Sequence, residues 1–116
     1  MSRTRSSASA KFAQAAPIFA ALGDETRLRV VARLCGAGPL PIARLADGAG
    51  VSRQAITKHL HALEGAGLAY SSRVGREQLW ELRTKQLSEA REYLDQISQQ
   101  WDAALDRLRA MVETET

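Results

Sequence analysis

The stretch VSRQAITKHLHALEGAGL, residues 51–68, carries the signals of one complete helix of about three to four turns. Ser52 is a good N-cap, because its hydroxyl accepts a hydrogen bond from a first-turn backbone N–H that has no partner inside the helix. Gly65 and Gly67 supply the stop at the other end. The apolar side chains follow the spacing of one buried face: Ala55, Ile56, Leu60 and Leu63.

The opposite face of this helix carries side chains that suit contacts with nucleic acid: Arg53, Gln54, Thr57, Lys58 and His61. Arginine and glutamine make paired hydrogen bonds to purine edges, threonine contacts a thymine methyl or a phosphate, and lysine binds phosphates. A face that is merely solvated usually holds more glutamate than this one. The pattern therefore favours a helix that reads DNA, with Ser52 at its start, over an ordinary amphipathic helix.

The following segment, LAYSSRVGREQLWEL at residues 68–82, predicts a β-hairpin. Two runs rich in apolar and aromatic residues are separated by polar residues around Gly75, although their alternation does not fix the strand register. The predicted tip carries Arg73 and Arg76. A recognition helix followed by a hairpin with a basic tip is the arrangement of a winged helix-turn-helix, in which the helix enters the major groove and the wing contacts the backbone or the minor groove.

The rest of the chain fits one mostly α-helical domain with this small hairpin. We expect residues 1–9 to form a disordered tail and residues 10–116 to form the winged-helix domain. The domain begins with a helix over 10–22, a second helix capped by Asp24 and a short third helix from Pro41. The second helix is expected to bury Leu28, Val31, Ala32, Leu34 and Cys35 and to leave Arg27, Arg29 and Arg33 in solvent.

The last segment, from Thr84 to about residue 112, predicts the longest helix, about 42 Å at 1.5 Å per residue. Its apolar residues keep a seven-residue repeat in two rows: Leu87, Leu94, Trp101 and Leu108 in one, and Ala90, Ile97, Ala104 and Met111 in the other. A small domain cannot cover such a seam, so we expect it to form a dimer interface with Phe12 and Phe19 of the first helix. The alternative is that the helix packs wholly on its own body.

Composition and charge are those of a soluble, single-domain protein. The chain has 116 residues, of which 45% are hydrophobic and 25% charged. No apolar run approaches the roughly 18–20 residues of a membrane span, and no apolar signal core is present, so we expect a cytoplasmic location. Residues 1–83 hold 12 basic against 6 acidic residues, and residues 84–116 hold 4 against 7. This division predicts a body that binds phosphates and a tail that binds protein.

Catalytic and metal-binding chemistry has little support in this sequence. The single cysteine, Cys35, permits neither an internal disulfide nor a multi-cysteine metal site. The two histidines, His59 and His61, project to different sides of one helix, and neither has a nucleophile at a suitable spacing. We expect His59 to be a hydrogen-bonded structural residue. The predicted protein is therefore not an enzyme and has no cofactor and no metal.

With these elements placed, the chain resembles the ArsR-type family of winged-helix transcriptional repressors. The resemblance runs from about Phe19 to Val112 and rests on FAALGDETRLRVVARL at 19–34, on LADGAGVSRQAITKHLHALEGAGL at 45–68, and on the Arg73 to Arg76 wing. It implies a homodimer, paired through its first and last helices, that binds inverted-repeat operators and represses transcription. Metal-sensing members carry a Cys-x-Cys pair in the short third helix, or Asp, His and Glu ligands on the last helix. Here the third helix reads LPIARLA and the last contains no His or Cys, so the resemblance is to a metal-independent branch whose effector is unknown.

The principal hypothesis is a homodimeric, sequence-specific DNA-binding repressor whose partners are double-stranded DNA and a second copy of itself. Two alternatives stay open. One is a winged-helix protein-interaction module without DNA binding, against which the basic face of the recognition helix argues. The other is a redox switch through Cys35, which needs intermolecular or small-molecule thiol chemistry.

Overall fold

The computed structural model describes residues 3–115, and it describes side chains from residue 13 to residue 114. Within these residues the elements are α1 (Arg3–Leu22), α2 (Glu25–Ala37), α3 (Ile42–Ala46), α4 (Arg53–Gly65), β1 (Ala69–Val74), β2 (Glu77–Leu82) and α5 (Thr84–Glu115). The two strands pair in antiparallel fashion. The predicted fold class, mostly helical with one hairpin and a long last helix, is confirmed.

Helix α1 extends further toward the N-terminus than the sequence predicted. It begins at Arg3, so residues 3–9 are helical where the sequence predicted a disordered tail. The physical reason is that residues 3–9 contain neither glycine nor proline, and extending an existing helix costs much less than nucleating a new one. Residues 1 and 2 lie outside the described range, and so does the side chain of Phe12.

The predicted caps of α2 and α4 are both present. Oδ1 of Asp24 accepts a hydrogen bond from the backbone N–H of Arg27 at 3.0 Å, and Oγ of Ser52 accepts one from the N–H of Ala55 at 3.1 Å. The N–H of Arg27 is the main reason why the pKa of Asp24 lies below its ordinary value. The cap therefore stabilises α2 at neutral pH and is lost only as the pH falls through that lowered pKa.

Helix α2 buries only part of the predicted face: Leu34 is buried and Val31 is partly buried, as predicted, but Ala32 is exposed. Val30 and Leu34 are buried, whereas Leu28 is 50% exposed and Cys35 is exposed. The buried stripe also includes Arg27, which is half-buried because its Nε–H donates to Nδ1 of His59 on α4 at 3.2 Å. The prediction that Arg27 faces solvent was wrong, and the prediction that His59 is a hydrogen-bonded structural residue is confirmed.

The hydrophobic core lies where α4 packs on the hairpin and on α2. Ile56, Leu60 and Leu63 of α4 are each 0% exposed, and Trp80 of β2 is 1% exposed. The backbones of Trp80 and Leu40 exchange N–H to carbonyl hydrogen bonds of 2.9 and 3.1 Å, which adds a short third segment beside the hairpin. This packing orients α4 with its apolar side inward and its polar side toward solvent.

The register of the hairpin, which the sequence left open, follows from the same core. Ala69 pairs with Leu82, Ser71 with Trp80, and Val74 with Glu77. In this register Trp80 enters the core, and the turn falls at Gly75, whose φ of 65° favours glycine. The hairpin therefore projects its basic tip away from the core.

Helix α5 packs on the body only over its first turns. Ala90 is 5% exposed, and the ring of Tyr93 lies 5.8 Å from the ring of Phe19 on α1. Beyond this point most apolar side chains of α5 are exposed among the residues whose side chains the structure describes. Those that are exposed are Leu94, Ile97, Trp101, Leu105, Leu108, Met111 and Val112.

Candidate nucleic-acid interface

Helices α3 and α4, with the turn between them, form a helix-turn-helix unit. The turn contains Gly48 and Gly50, both with a φ of 72°, a conformation that residues with a Cβ rarely adopt. Ser52 then begins α4 as its N-cap. The unit is attached to α2 at both of its helices, because Arg27 contacts His59 on α4 and Arg33 contacts the end of α3.

The outward face of α4 holds three side chains that are free to contact a ligand. Arg53, Gln54 and Lys58 are exposed, and no hydrogen bond or ion pair of their side chains is recorded among the described residues. Thr57 is half-buried and its hydroxyl donates to the carbonyl oxygen of Arg53 at 2.8 Å. In Ser52 the hydroxyl oxygen accepts from Ala55 and the carbonyl oxygen accepts from Ile56, so its hydroxyl hydrogen and backbone N–H are the groups that remain to donate to a ligand.

His61 is exposed but is held by its own chain. Its ring meets the ring of Trp80 edge-on, with 5.7 Å between centroids and an interplanar angle of 83°. Its Nδ1 lies 3.2 Å from Oε1 of Glu64. His61 therefore lies between the outward face of α4 and the hairpin.

The tip of the hairpin presents two more cations. Arg73 and Arg76 are exposed and flank the turn at Gly75. The stem below them is reinforced by a hydrogen bond of 2.7 Å from the hydroxyl of Tyr70 to Glu81, which also raises the pKa of Tyr70. The guanidinium of Arg83 lies 4.7 Å from the centre of the Tyr70 ring. These contacts stabilise the paired strands of the hairpin, so the two arginines have a defined position at its tip.

The residues expected at a dimer interface divide into two groups. Phe19 and Leu87 are half-buried against their own core, and Ala90 is already buried there, so the structure corrects its assignment to an interface. Leu94, Ile97, Trp101, Ala104 and Leu108 are exposed along one stretch of α5. Leu105 and Val112 join this exposed seam and were missed, although each lies four residues after a predicted member.

No group of three or more His, Cys, Asp and Glu side chains that could hold a metal ion occurs among the described residues. No helix in the described part of the chain is both long and apolar enough to cross a membrane.

Comparison with known proteins agrees with this geometry. A helix-turn-helix domain family matches residues 22–69. The HTH-type transcriptional regulator Rv2034 of Mycobacterium tuberculosis is 34% identical over 95 residues, which are 82% of this chain and 85% of the relative. The solved structure of an ArsR-like transcriptional regulator from Rhodococcus sp. RHA1 is 38% identical with a TM-score of 0.71, and the match covers 86% of this chain and 93% of that one. The chain belongs to the ArsR-type family of winged helix-turn-helix transcriptional regulators.

A more distant structure shares the fold of this ArsR-type regulator. It is the homodimeric winged helix-turn-helix domain Mb0332 of Mycobacterium bovis, 19% identical with a TM-score of 0.58 over 92% of this chain and 93% of that one. In the ArsR-type regulator described here, α3 and α4 are the DNA-binding helix-turn-helix, and β1 and β2 are the wing. Its family is one of transcriptional regulators rather than enzymes.

Proposed function

We propose that this ArsR-type regulator is a cytoplasmic, homodimeric repressor of an inverted-repeat operator. Helix α4 enters the major groove and the hairpin tip reaches the backbone or the minor groove of the flanking DNA. The residues proposed to contact DNA are Ser52, Arg53, Gln54, Thr57, Lys58, His61, Arg73 and Arg76. Binding of the dimer over a promoter then represses transcription by excluding the polymerase.

The observation that carries this proposal is a contrast between the arginines of α2 and the cations of α4. Within the chain, Arg27 contacts His59, and Arg29 pairs with Glu25 at 2.6 Å. Arg53 and Lys58 have no recorded partner among the described residues and lie exposed on one side of α4. Because unpaired cations are available to phosphates and base edges, the contrast supports DNA reading over a protein-interaction module that has lost it.

The proposal of a homodimer rests on the exposed seam of α5. A single winged helix offers a small contact surface, whereas two related by a dyad engage two half-sites and nearly sum their binding energies. The seam supplies apolar surface that the chain itself leaves uncovered after Tyr93. The homodimeric state given for Mb0332, a protein of the same fold, is consistent with this proposal.

Retention on duplex DNA at increasing salt tests the DNA-binding part of the proposal. Phosphate contacts release counterions, so the logarithm of the affinity is expected to fall linearly with the logarithm of the salt concentration. An interaction module without DNA binding would not be retained even at low salt. A reporter gene with the bound duplex in its promoter tests repression: the regulator is expected to lower transcription, and an increase would identify an activator.

Replacing Gln54 with alanine is expected to reduce discrimination at one or two base pairs by roughly 1 to 3 kcal/mol, because a glutamine amide pairs with an adenine edge. Competition between operator and point-substituted duplexes measures this difference. The matched control is Gln99→Ala, which makes the same change at an exposed position of α5. Equal losses of Gln54→Ala on operator and random DNA would contradict a base contact.

Replacing both Arg73 and Arg76 with alanine is expected to weaken binding to all duplexes. The slope of log affinity against log salt should decrease in magnitude by about one to two units, because up to two phosphate contacts are lost. The matched control replaces Arg91 and Arg107, which are exposed on α5 and carry the same total charge. If the hairpin variant has the same slope of log affinity against log salt as the wild type, the wing does not contact phosphates.

A further inference from the structure

Helix α3 is held on the core by Leu45, which is 1% exposed, but the helix is short. It has five residues, and the carbonyls of its last turn have no partner inside the helix. The side chain of Arg33 supplies the missing donors: its Nη1 donates to the carbonyl oxygen of Leu45 at 3.3 Å and to that of Asp47 at 2.8 Å. We call these two hydrogen bonds the Arg33 clamp.

The clamp joins the core to the segment that leads into α4. Arg33 lies next to Leu34, which is 4% exposed and fixes this part of α2 in the core. Asp47 is the first residue after α3, and the glycine turn between it and Ser52 sets the direction in which α4 begins. A displacement of Asp47 is therefore passed on to the N-terminus of α4, where Arg53 and Gln54 lie.

Packing holds this turn on one side only: Leu45 is 1% exposed, Ala49 packs against the core, and the N–H of Ala49 donates to the carbonyl oxygen of Ala46 at 3.2 Å. On the other side an open cleft of about 310 Å³ lies between α2 and the turn, and Arg29, Arg33 and Gly48 are among the residues that line it. A Cβ added to Gly48 or Gly50 would have no atom within 4 Å. On this open side the two hydrogen bonds of the clamp directly connect α2 to the end of α3 and to the start of the turn, and they add to the restraint that the packing of Leu45 and Ala49 supplies.

We propose that Arg33 is a positioning residue for DNA recognition. It acts through the α3 carbonyls and the glycine turn, which it holds so that α4 presents its outward face in one orientation, and it does not itself contact DNA. The inference rests on the proposed function, in which α4 reads base edges. It assigns Arg33 to specificity rather than to general attraction for phosphates.

The test compares Arg33→Met with Arg29→Met in the full chain. Methionine keeps an unbranched apolar stem and removes the charge and the donors. Arg29 is a matched control on the same helix, because its side chain is 69% exposed and it pairs with Glu25, in an i,i+4 surface pair of little energetic value. Circular dichroism and thermal unfolding confirm that both variants are folded before binding is measured.

The expected result has two parts. Arg33→Met binds a duplex selected by the wild-type protein about tenfold more weakly, while its affinity for a scrambled duplex changes by less than about threefold and the salt slope stays unchanged. In the DNA-free protein, hydrogen exchange at the amides of residues 48–51 is faster in Arg33→Met than in the wild type. Arg29→Met is expected to leave both measurements unchanged.

Two results would overturn the inference. In the first, Arg33→Met has the same operator affinity and the same rates of hydrogen exchange as the wild type. The other is a salt slope lowered in magnitude by about one unit with unchanged exchange, which would make Arg33 a direct phosphate contact. Failure of the proposed function is distinguishable, because the wild-type protein would then select no duplex at all, whereas the exchange measurement still reports on the clamp.

Discussion

Replacing Leu94 with glutamate is expected to give a protein that sediments as a monomer and no longer protects operator DNA at nanomolar concentration. Leu94 is 52% exposed in the single chain, so the substitution spares the core of the protomer. In the proposed dimer the Leu94→Glu substitution places an unpaired carboxylate in the buried interface, at the start of the seam. Burying an unpaired charge is strongly unfavourable. Loss of the dimer separates the two recognition helices and removes the gain from binding two half-sites at once.

Trp101 is expected to contribute most to the stability of the dimer. It is 65% exposed in the single chain and lies near the middle of the seam. Trp101→Ala is expected to cost about 3 to 5 kcal/mol of dimer stability, because a central aromatic side chain contributes a large buried area to an interface. Sedimentation over a range of protein concentrations measures the change, and circular dichroism shows that the recognition helix stays folded.

Gln99→Glu is the matched control for the seam. It introduces the same charge on the exposed surface of α5, about 160° around the helix from Trp101 at 100° per residue, and is expected to leave the dimer intact. A Leu94→Glu protein that remains a dimer and still protects an inverted repeat would contradict the assignment of this surface. The interface would then have to be formed by another part of the chain.

Replacing Trp80 with alanine is expected to lower the free energy of unfolding by about 3 to 5 kcal/mol, because it opens a cavity at the centre of the core. The ring is 1% exposed, and the backbone of the residue joins the hairpin to Leu40. Urea unfolding followed by circular dichroism, at one fixed protein concentration, measures the loss. A cost below about 1 kcal/mol would show that the ring does not organise this core.

Trp80→Phe tests how much of this cost comes from the loss of ring volume. The indole Nε1 is buried and has no recorded hydrogen-bond partner within the described residues, so phenylalanine removes ring volume without breaking a recorded bond. The expected cost is about 1 to 2 kcal/mol, well below that of alanine. Equal costs for the two substitutions would mean that the six-membered ring contributes little to packing.

Local signals were sufficient to predict α4 and the hairpin. Ser52 caps the helix, Gly67 has a φ of 77° just after it, and Gly75 lies in the turn of the hairpin. Each of these residues acts through its own backbone or that of its near neighbours, so neighbouring residues in the sequence reveal it. The outward face of α4 could be predicted for the same reason, since it is the complement of a regular apolar stripe.

The contacts of α2 could not be predicted in this way, because they join residues that are distant in the sequence. Two apolar stripes overlap on this helix, and the one that is buried contains Arg27, whose partner His59 is 32 residues away. The acceptors of Arg33 are backbone carbonyls 12 and 14 residues away. Every residue has a backbone carbonyl, so the sequence does not show which of them accepts a hydrogen bond. The sequence pattern therefore predicted wrongly that Arg27 faces solvent, and it gave no sign of the backbone partners of Arg33, which is exposed as predicted.

The sequence predicted the seven-residue repeat of the α5 seam, but it did not predict which residues of the seam are exposed. A seven-residue repeat cannot show where the helix leaves its own body, because that point depends on the tertiary contact between Phe19 and Tyr93. Ala90 lies before this point and is buried, whereas Leu105 and Val112 lie after it and widen the exposed seam. The strict heptad rows omitted these two residues because they occupy a third row beside the predicted pair.

Selection of bound duplexes from a random pool by the full chain shows whether a symmetric dimer reads DNA through α4. It reports on DNA binding, sequence preference and symmetry together. The expected result is enrichment of an inverted repeat whose half-sites lie about one helical turn apart, about 34 to 36 Å between centres. Enrichment of a single unrepeated site or a direct repeat, or no enrichment at all, would contradict a dyad-symmetric dimer that reads DNA through α4.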